Sequence, residues 1–169
     1  GVAPTGYATF LSSIEEFERL CEYMIDSSVI PFIWVDGSNK SYQMALTNAL
    51  WLNLEGYDGV MANFTFDSNN KETSIVTGFV GDEPQTEKVK ITRDNIWDIY
   101  QQESRYYALK MSEKVFGDER YYHEYSTSST YSHTYIQRTF LESLYAGSKP
   151  IAMILEGSYW LNEAKTSGE

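Results

Sequence analysis

Cysteine is nearly absent from this sequence of 169 residues, because Cys21 is the only one. A lone cysteine excludes an internal disulfide and a metal cluster built on several cysteines. Phe17, Leu20 and Met24 recur around Cys21 at helical spacing, and an apolar stripe of this kind buries a thiol and keeps it from reacting. We therefore expect Cys21 to be an inert core residue and not a nucleophile.

Long apolar segments are absent as well, because no run approaches the roughly 18 residues that a membrane-spanning helix needs. The first ten residues, GVAPTGYATF, do not have the basic and then apolar pattern of a signal peptide. From these two absences we expect a soluble chain, with excision from a larger protein as an open alternative.

Basic residues are scarce: 13 Lys and Arg stand against 24 Asp and Glu, which leaves a net charge of −11. This excess repels nucleic acid and anionic lipid, so neither is an expected partner. The two histidines, His123 and His133, do not have a metal-binding spacing, and the chain has no phosphate-binding glycine loop and no nucleophile motif. Adjacent carboxylates such as Glu15 and Glu16 are typical of solvated surface. We therefore predict no catalytic residue, no metal, no cofactor and no enzymatic activity.

Aromatic residues, in contrast, are abundant: they make up 15% of the chain and include 14 tyrosines. A tyrosine ring is apolar while its hydroxyl tolerates water, which suits a wet binding surface. The hydrophobic content of 42% is enough to form one ordinary core. We predict a single domain over residues 1–169.

Hydrophobic periodicity predicts a helix-rich α/β fold with a small sheet. A capping box from Ser13 to Glu16 should open the first helix, and Gly56 should begin the turn that ends the second. The fourth helix should be capped by Thr134 and should stop at Gly147. The predicted elements are helices at 14–27, 41–55, 92–116 and 134–147 with a short helix after 158, strands at 30–35 and 151–155, a loop at 124–132, and an irregular excursion or hairpin at 60–91.

At three places an apolar element ends in a polar turn that carries aromatic residues, and a helix begins directly afterwards. These turns lie at 34–43, 131–134 and 156–160. Helix starts present free amides, and flat rings stack on the apolar faces of sugars, so the pattern predicts a carbohydrate or peptide cleft. The alternative is that Trp34 and Trp160 close the core, and the residue pattern leaves both interpretations open.

Four segments, in this order, resemble the second lobe of the family 1 extracellular solute-binding proteins, the sugar-capturing subunits of bacterial ATP-driven importers related to maltose-binding protein. The first segment, Pro4 and Thr5 with IEEF at 14–17, is similar to the family's P-x-T-W-x-E-F, and the second, VIPFIW at 29–34, is similar to G-V-I-P-F without its glycine. The third segment, SHTYIQ at 132–137, is similar to S-H-T-E-A-Q. The fourth, AGSKPIAMILEGSYW at 146–160, is similar to F-x-x-G-K-A-A-M-x-x-x-G-S-W. The last segment is the family's most specific signature. The resemblance covers most of the chain except about 60–91.

In this family two α/β lobes close on a solute, so the resemblance implies one lobe of a type II periplasmic-binding-protein fold. It implies non-enzymatic binding of a sugar or oligosaccharide, with Tyr159 against the ligand and Trp160 either beside it or turned into the core. It also implies that the starts of two helices, at His133 and at Tyr42 or Gln43, face the cleft. The complete set of candidate ligand-binding residues is Tyr159, Trp160, His133, Tyr42, Gln43, Trp34 and Asp36.

The resemblance further implies an extracellular or periplasmic location, with the full-length protein tethered to the membrane as a lipoprotein, and the importer's permease as a partner. The family's first lobe and hinge strands have no counterpart in this sequence, so we expect an excised piece or a naturally shortened relative that lacks half of its cleft. An alternative is an isolated structural or protein-interaction module that binds no solute. A glycoside-processing enzyme is a third alternative, which the absence of suitably spaced carboxylates disfavours.

Overall fold

The computed structural model of the protein describes residues 13–35, 41–145, 147 and 149–167. Within them the chain forms a mixed α/β structure, rich in helix, with two small two-stranded sheets, which confirms the predicted fold class at this level. The elements are helices α1 (Ile14–Asp26), α2 (Ser41–Thr65), α3 (Glu103–Gly117), α4 (His133–Glu142) and α5 (Trp160–Ser167), strands β1 (Ile30–Ile33), β2 (Glu72–Val80), β3 (Glu83–Lys90) and β4 (Ile151–Ile154), and 3₁₀ helices at Ile96–Gln101, Glu119–Tyr121 and Glu124–Thr127.

The chain divides into two compact units. The first unit comprises residues 1–46 and 112–169, and the second unit comprises residues 47–111. By sequence range, α2 and α3 contribute residues to both units, while the parallel strands belong to the first and the antiparallel strands to the second. The predicted single domain stays a prediction.

Helix α1 of the first unit begins where the sequence predicts. The hydroxyl of Ser13 accepts a hydrogen bond from the backbone N of Glu16 at 3.2 Å, which satisfies one of the free amides of the first turn. Cys21 is completely buried on the inner face of this helix. Burial raises the pKa of its thiol to about 12, so the thiol stays protonated and unreactive at neutral pH, as predicted.

A parallel sheet lies at the centre of the first unit. Strand β1 pairs with β4 in a register that places Ile30 opposite Ile151. Successive carbonyl groups of a strand point to opposite edges, and the carbonyl of Phe32 accepts from the backbone N of His123 at 2.9 Å. The segment after the 3₁₀ helix Glu119–Tyr121 therefore runs along the other edge of β1, and β1 is covered on both sides.

The core of the first unit is built on these strands. Ile33, Ile136 and Ile151 form a buried cluster that α4 and both strands share. Trp34 is 1% exposed and packs edge-on against Phe116, with 5.1 Å between ring centroids. These apolar contacts hold α4 against β1 and β4 and form the core of the first unit.

Helix α4 begins and ends at other residues than predicted. Ser132, not Thr134, is the N-cap: its hydroxyl accepts from the backbone N of Tyr135 at 3.3 Å. The helix ends at Glu142 and not at Gly147. Ser143 explains the early end, because its hydroxyl donates to the carbonyl of Phe140 and accepts from the backbone N of Ile151, tying the helix end to β4.

Helix α2 continues beyond the predicted end. Gly56 has a φ of 74° and a ψ of 172°, which interrupts the helical backbone, but the chain resumes helical structure up to Thr65. Glycine adopts this positive φ without the steric cost that a side chain brings. The sequence therefore located the break correctly, but it missed the helical segment that follows.

In the second unit, residues 72–90 form an antiparallel hairpin of β2 and β3 with a two-residue turn at Gly81 and Asp82. Gly81 has a φ of 61°, as tight hairpin turns require. This hairpin lies inside the region for which the sequence predicted an excursion or hairpin.

The predicted continuous helix from 92 to 116 is wrong. It is divided into a 3₁₀ helix, Ile96–Gln101, and α3, with Gln102 between them in extended conformation (φ −51°, ψ 129°) and bridged to Ile75 of β2. The side chain of Gln102 is 1% exposed. Its side-chain amide forms hydrogen bonds with Trp51, Asn63 and Gly59. These tertiary hydrogen bonds outweigh the local preference for helix, so the helical backbone is interrupted at Gln102.

Candidate ligand-binding site

The candidate site lies where the two parallel strands end. The carboxyl ends of β1 and β4 share one edge of the sheet, and each strand leads into a segment that precedes a helix. In open α/β sheets, ligands bind outside the carboxyl ends of parallel strands. The segment after β4 carries Glu156, Gly157 and Tyr159, while Tyr42 lies in the first turn of α2, the helix that follows β1.

Tyr42 and Tyr159 meet at this edge. Their hydroxyl oxygens are 3.0 Å apart, although the residues are 117 positions apart in the sequence. The side chain of Tyr159 is 51% exposed, whereas that of Tyr42 is half-buried. The structure thus brings together two of the candidate ligand-binding residues, and one of them presents its ring to solvent.

Glu156 is the charged member of the site, and sequence reasoning missed it. Its carboxylate accepts from Nε2 of Gln137 at 3.0 Å and from the backbone N of Gly157 at 2.8 Å. Within the described chain no lysine or arginine forms an ion pair with it. Its place directly after β4, at the carboxyl edge of the sheet, is the signal that would have identified it.

The Tyr42 hydroxyl remains protonated at neutral pH. Burial raises the pKa of Tyr42 well above its ordinary value, and hydrogen bonds with Tyr159 and Glu156 raise it further. Tyr42 is therefore a hydrogen-bonding group of fixed protonation state, which suits binding better than proton transfer.

Gly157 allows the Tyr159 ring to fold back over the main chain. A Cβ atom at position 157 would lie 2.0 Å from Cε1 of Tyr159. No side chain larger than hydrogen fits there unless the ring moves away from Tyr42. The glycine of the EGSYW segment therefore sets the position of the exposed ring.

The two tryptophans among the candidate residues face the core. Trp160 packs edge-on against Phe140, with 6.0 Å between ring centroids, and Trp34 is buried against Phe116 and Tyr122. Both indole N–H groups are buried and have no hydrogen-bond partner among the described residues. These contacts favour the core interpretation for both residues, while Tyr159 points outward.

The remaining candidate residues surround the tyrosine pair to different degrees. Gln43 is half-buried and adjoins Tyr42 in the first turn of α2, and His133 is an exposed residue at the start of α4. His133 makes no hydrogen bond or ring contact with the pair in the described chain; from α4, Gln137 reaches the site instead. Asp36 lies outside the described residues, as do Pro4 and Thr5 of the first family-like segment.

A second aromatic cluster, also missed by sequence reasoning, lies in the segment predicted as a loop and at the start of α4. Tyr131 stacks on Tyr135 with 4.9 Å between ring centroids, and Tyr125 packs on Tyr131 at a tilt of 35° with 4.2 Å between centroids. His123 packs against Tyr125, and its Nδ1 accepts from the backbone N of Tyr125 at 3.2 Å, which requires an unprotonated Nδ1. Burial lowers the pKa of His123, in agreement with a neutral ring.

No known protein family, no curated protein and no solved structure matches this chain. Across the residues that the structure describes, no group of three or more histidine, cysteine and carboxylate side chains is arranged to hold a metal ion. The helices of the same residues include none with the length and apolar character needed to cross a membrane.

Proposed function

We propose that this chain is a sugar-binding lobe of a family 1 extracellular solute-binding protein, with a type II periplasmic-binding-protein fold. It would capture a sugar or oligosaccharide without catalysis and deliver it to the permease of an ATP-driven importer. The full-length protein would include the other lobe and would be held outside the cytoplasmic membrane as a lipoprotein. The observation that carries the proposal is the exposed Tyr159 ring at the carboxyl edge of parallel strands, where its hydroxyl meets that of Tyr42 and the charge of Glu156 acts on Tyr42.

The chemistry of these three side chains matches that of a sugar. One face of a pyranose ring consists of C–H groups, which pack against an aromatic face such as that of Tyr159. The edge of the pyranose carries hydroxyl groups, and a carboxylate accepts hydrogen bonds from two of them at once. Gln137 and the backbone of Gly157 hold Glu156 in place, so little conformational entropy is lost on binding.

The Glu156 carboxylate also predicts which sugars bind. It forms no ion pair among the described residues, so a ligand carboxylate beside it would place two like charges together, which is unfavourable. We therefore expect neutral or amino sugars to bind at this site and uronic acids to be rejected.

The first test is calorimetric titration of the protein with a panel of neutral mono- and oligosaccharides. We expect saturable binding of at least one of them, weakened about tenfold by Tyr159→Ala because a stacked ring is lost. Gly157→Ala should weaken binding in the same direction, since it displaces the same ring while leaving Tyr159 in the chain. Tyr145→Ala is the matched control, because Tyr145 is 88% exposed and makes no contact with the site.

Three results would contradict the proposal. They are the absence of saturable binding across the panel, equal affinity of Tyr159→Ala and Tyr145→Ala, and release of hydrolysis products from an aryl glycoside. The last result would mean that the site performs chemistry on the sugar.

A protein-interaction module is the second candidate, and the surface of the second unit favours it. Tyr57, Phe64 and Trp97 are 78%, 70% and 71% exposed, and monomeric proteins seldom expose several large apolar side chains without a binding role. If the panel fails and Phe64→Ser converts a self-associating protein into a monomer in sedimentation experiments, this second candidate replaces the first.

A further inference from the structure

Arg105, in the part of α3 that belongs to the second unit, forms no ion pair at bonding distance with a carboxylate of the described residues. Its guanidinium carbon lies 3.9 Å from the centroid of the Trp51 ring, which is buried beneath it. Burial lowers the pKa of Arg105, and the charge of Glu55 opposes this shift without a hydrogen bond between the two side chains. A half-buried cation that no carboxylate bonds directly is costly.

The donors of this guanidinium are only partly used. Nη2 donates to Oδ1 of Asn63 at 2.8 Å, while Nε is buried and has no partner. Nη1 forms no hydrogen bond with the described chain and is not among the buried unpaired atoms, so it reaches solvent. Since a guanidinium carries five N–H groups in a planar fork, Arg105 still has donors to offer.

The polar groups around Arg105 are already engaged elsewhere. Oε1 of Gln102 accepts from Trp51 and from Asn63, at 3.3 Å and 3.0 Å. The carboxylate of Glu55 accepts from the hydroxyls of Thr73 and Ser104. Neither side chain accepts a hydrogen bond from Arg105, so the described residues supply no acceptor for its remaining N–H groups.

Two exposed rings lie beside the guanidinium. The centroid of the Tyr100 ring is 5.9 Å from the guanidinium carbon, and Trp97 stacks on Tyr100 with 6.1 Å between centroids and 25° between planes. The two side chains are 62% and 71% exposed. A flat apolar surface thus adjoins an unpaired cation, within a single unit of the molecule.

We propose that Arg105, Tyr100 and Trp97 form a binding site for a small molecule that carries a carboxylate on a flat ring. The carboxylate accepts from Nη1 of Arg105, and the ring of the ligand packs on Tyr100 and Trp97. Trp51 and Asn63 hold the guanidinium in position. The ring belongs either to an aromatic acid or to a sugar acid, which share this chemistry. The site is separate from the tyrosine pair of the first unit, and it does not depend on the sugar-binding proposal.

The test uses four probes in calorimetric titrations, with tryptophan fluorescence as a second readout from Trp51 and Trp97. Benzoate and glucuronate carry the carboxylate, and benzyl alcohol and glucose are their neutral counterparts. We expect saturable binding of at least one acid and more than tenfold weaker binding of its neutral counterpart. Glucuronate and glucose are compared on Tyr159→Ala, so that glucose bound at the tyrosine pair does not enter the comparison. If only benzoate binds, the ligand of the site is an aromatic acid, and if only glucuronate binds, it is a sugar acid. If both bind, the site recognises a carboxylate on either kind of ring.

Two variants locate the binding. Arg105→Lys keeps the charge but loses the planar fork, and it should weaken acid binding roughly tenfold or more, the loss expected for a charge-assisted hydrogen bond. Tyr100→Ala removes an exposed ring and should weaken it about threefold to tenfold without unfolding the protein. The matched control is Arg93→Lys, because Arg93 is exposed and lies outside the cluster.

The proposal is overturned if neither acid binds, or if the acids bind equally well to Arg105→Lys, Tyr100→Ala and the unmodified protein. Loss of acid binding in Tyr159→Ala with full binding in Arg105→Lys would overturn it too, because the acid would then occupy the first unit. Failure of the neutral sugar panel leaves this proposal standing, so the two proposals fail independently.

Discussion

The two units of the chain are stabilised by different interactions. In the first unit the core at the sheet is mainly apolar, with Phe32, Ile33 and Trp34 at most 1% exposed, and the buried hydroxyl of Ser126 accepts from the backbone N of Trp34. In the second unit the buried amide of Gln102 connects Trp51, Asn63 and Gly59 through hydrogen bonds. Apolar packing tolerates small shifts, whereas a buried hydrogen-bond network requires each of its members. We therefore expect the second unit to lose more stability than the first when one of its buried polar side chains is replaced.

The two units also differ in how many large apolar side chains they expose to solvent. The second unit is the shorter one, yet among the described residues more of its large apolar side chains are exposed, including Leu52, Tyr57, Phe64, Phe79, Val80, Trp97 and Leu109. The exposed aromatic side chains that the structure describes in the first unit are tyrosines, whose hydroxyls hydrogen-bond to water and ligands. This contrast agrees with a wet binding edge in the first unit and an apolar contact surface in the second.

The largest expected effect is that of Trp34→Ala in the first unit. Removing a buried indole leaves a cavity beside Phe116 and Tyr122, and the free energy of unfolding should fall by about 3 to 5 kcal/mol. Urea denaturation measures the loss, and amide hydrogen exchange should show that protection falls first in β1 and β4. Trp97→Ala, at an exposed ring of the second unit, is the control and should cost less than about 1 kcal/mol. Equal effects of the two substitutions would contradict the core assignment of Trp34.

The next effect tests the polar network of the second unit. Gln102→Leu keeps the volume but leaves the buried Trp51 indole N–H without an acceptor, and it removes one of two partners from Asn63 Nδ2 and from the Gly59 carbonyl, which stay bonded to each other. The cost should be about 2 kcal/mol in the free energy of unfolding. Hydrogen exchange should accelerate in β2 and at the start of α3. Gln85→Leu, on the exposed strand β3, is the matched control. A stability equal to that of the unmodified protein would mean that the network does not hold the second unit together.

The smallest effect concerns charge on the first unit and depends on pH. A hydrogen bond from the Tyr121 hydroxyl, at 2.7 Å, lowers the pKa of Glu22 below its ordinary value, and the charge of Lys114 lowers it further. A lowered folded-state pKa adds stability above the ordinary value of about 4.5, and this stability is lost as the pH falls through the folded pKa. Glu22→Gln should therefore cost less than about 1 kcal/mol at pH 7, because the carboxylate is partly exposed to solvent.

Thermal denaturation between pH 3 and pH 7 checks this prediction. The difference between Glu22→Gln and the unmodified protein should shrink towards the acid end, whereas Glu87→Gln, on the exposed strand β3, should have no such dependence. A constant difference across the pH range would rule out the proposed role of the Glu22 carboxylate.

The sequence alone was sufficient where local rules govern the structure. The Ser13 cap, the strands beginning at Ile30 and Ile151, and the burial of Cys21 follow from capping chemistry and from apolar periodicity, which operate over a few residues. The same rules placed a break at Gly56 but not the resumption of helix beyond it. They failed at Ser132 and Ser143, where the ends of α4 depend on which of several hydroxyls is placed to bond the backbone.

The candidate site likewise has features that could be inferred from the sequence and features that depend on the tertiary structure. The residue pattern alone left the rings after the glycine turn open to core or ligand, and the family resemblance implied Tyr159 as the ligand-facing ring while leaving Trp160 to either role. Only tertiary structure brought Tyr42 to Tyr159 across 117 positions and added Glu156, since the pairing of β1 with β4 is a long-range contact. Sequence by itself therefore determined the elements and the aromatic, acidic character of the chain. The folded backbone decided which of these side chains meet, because spatial proximity between distant residues depends on strand pairing and not on local periodicity.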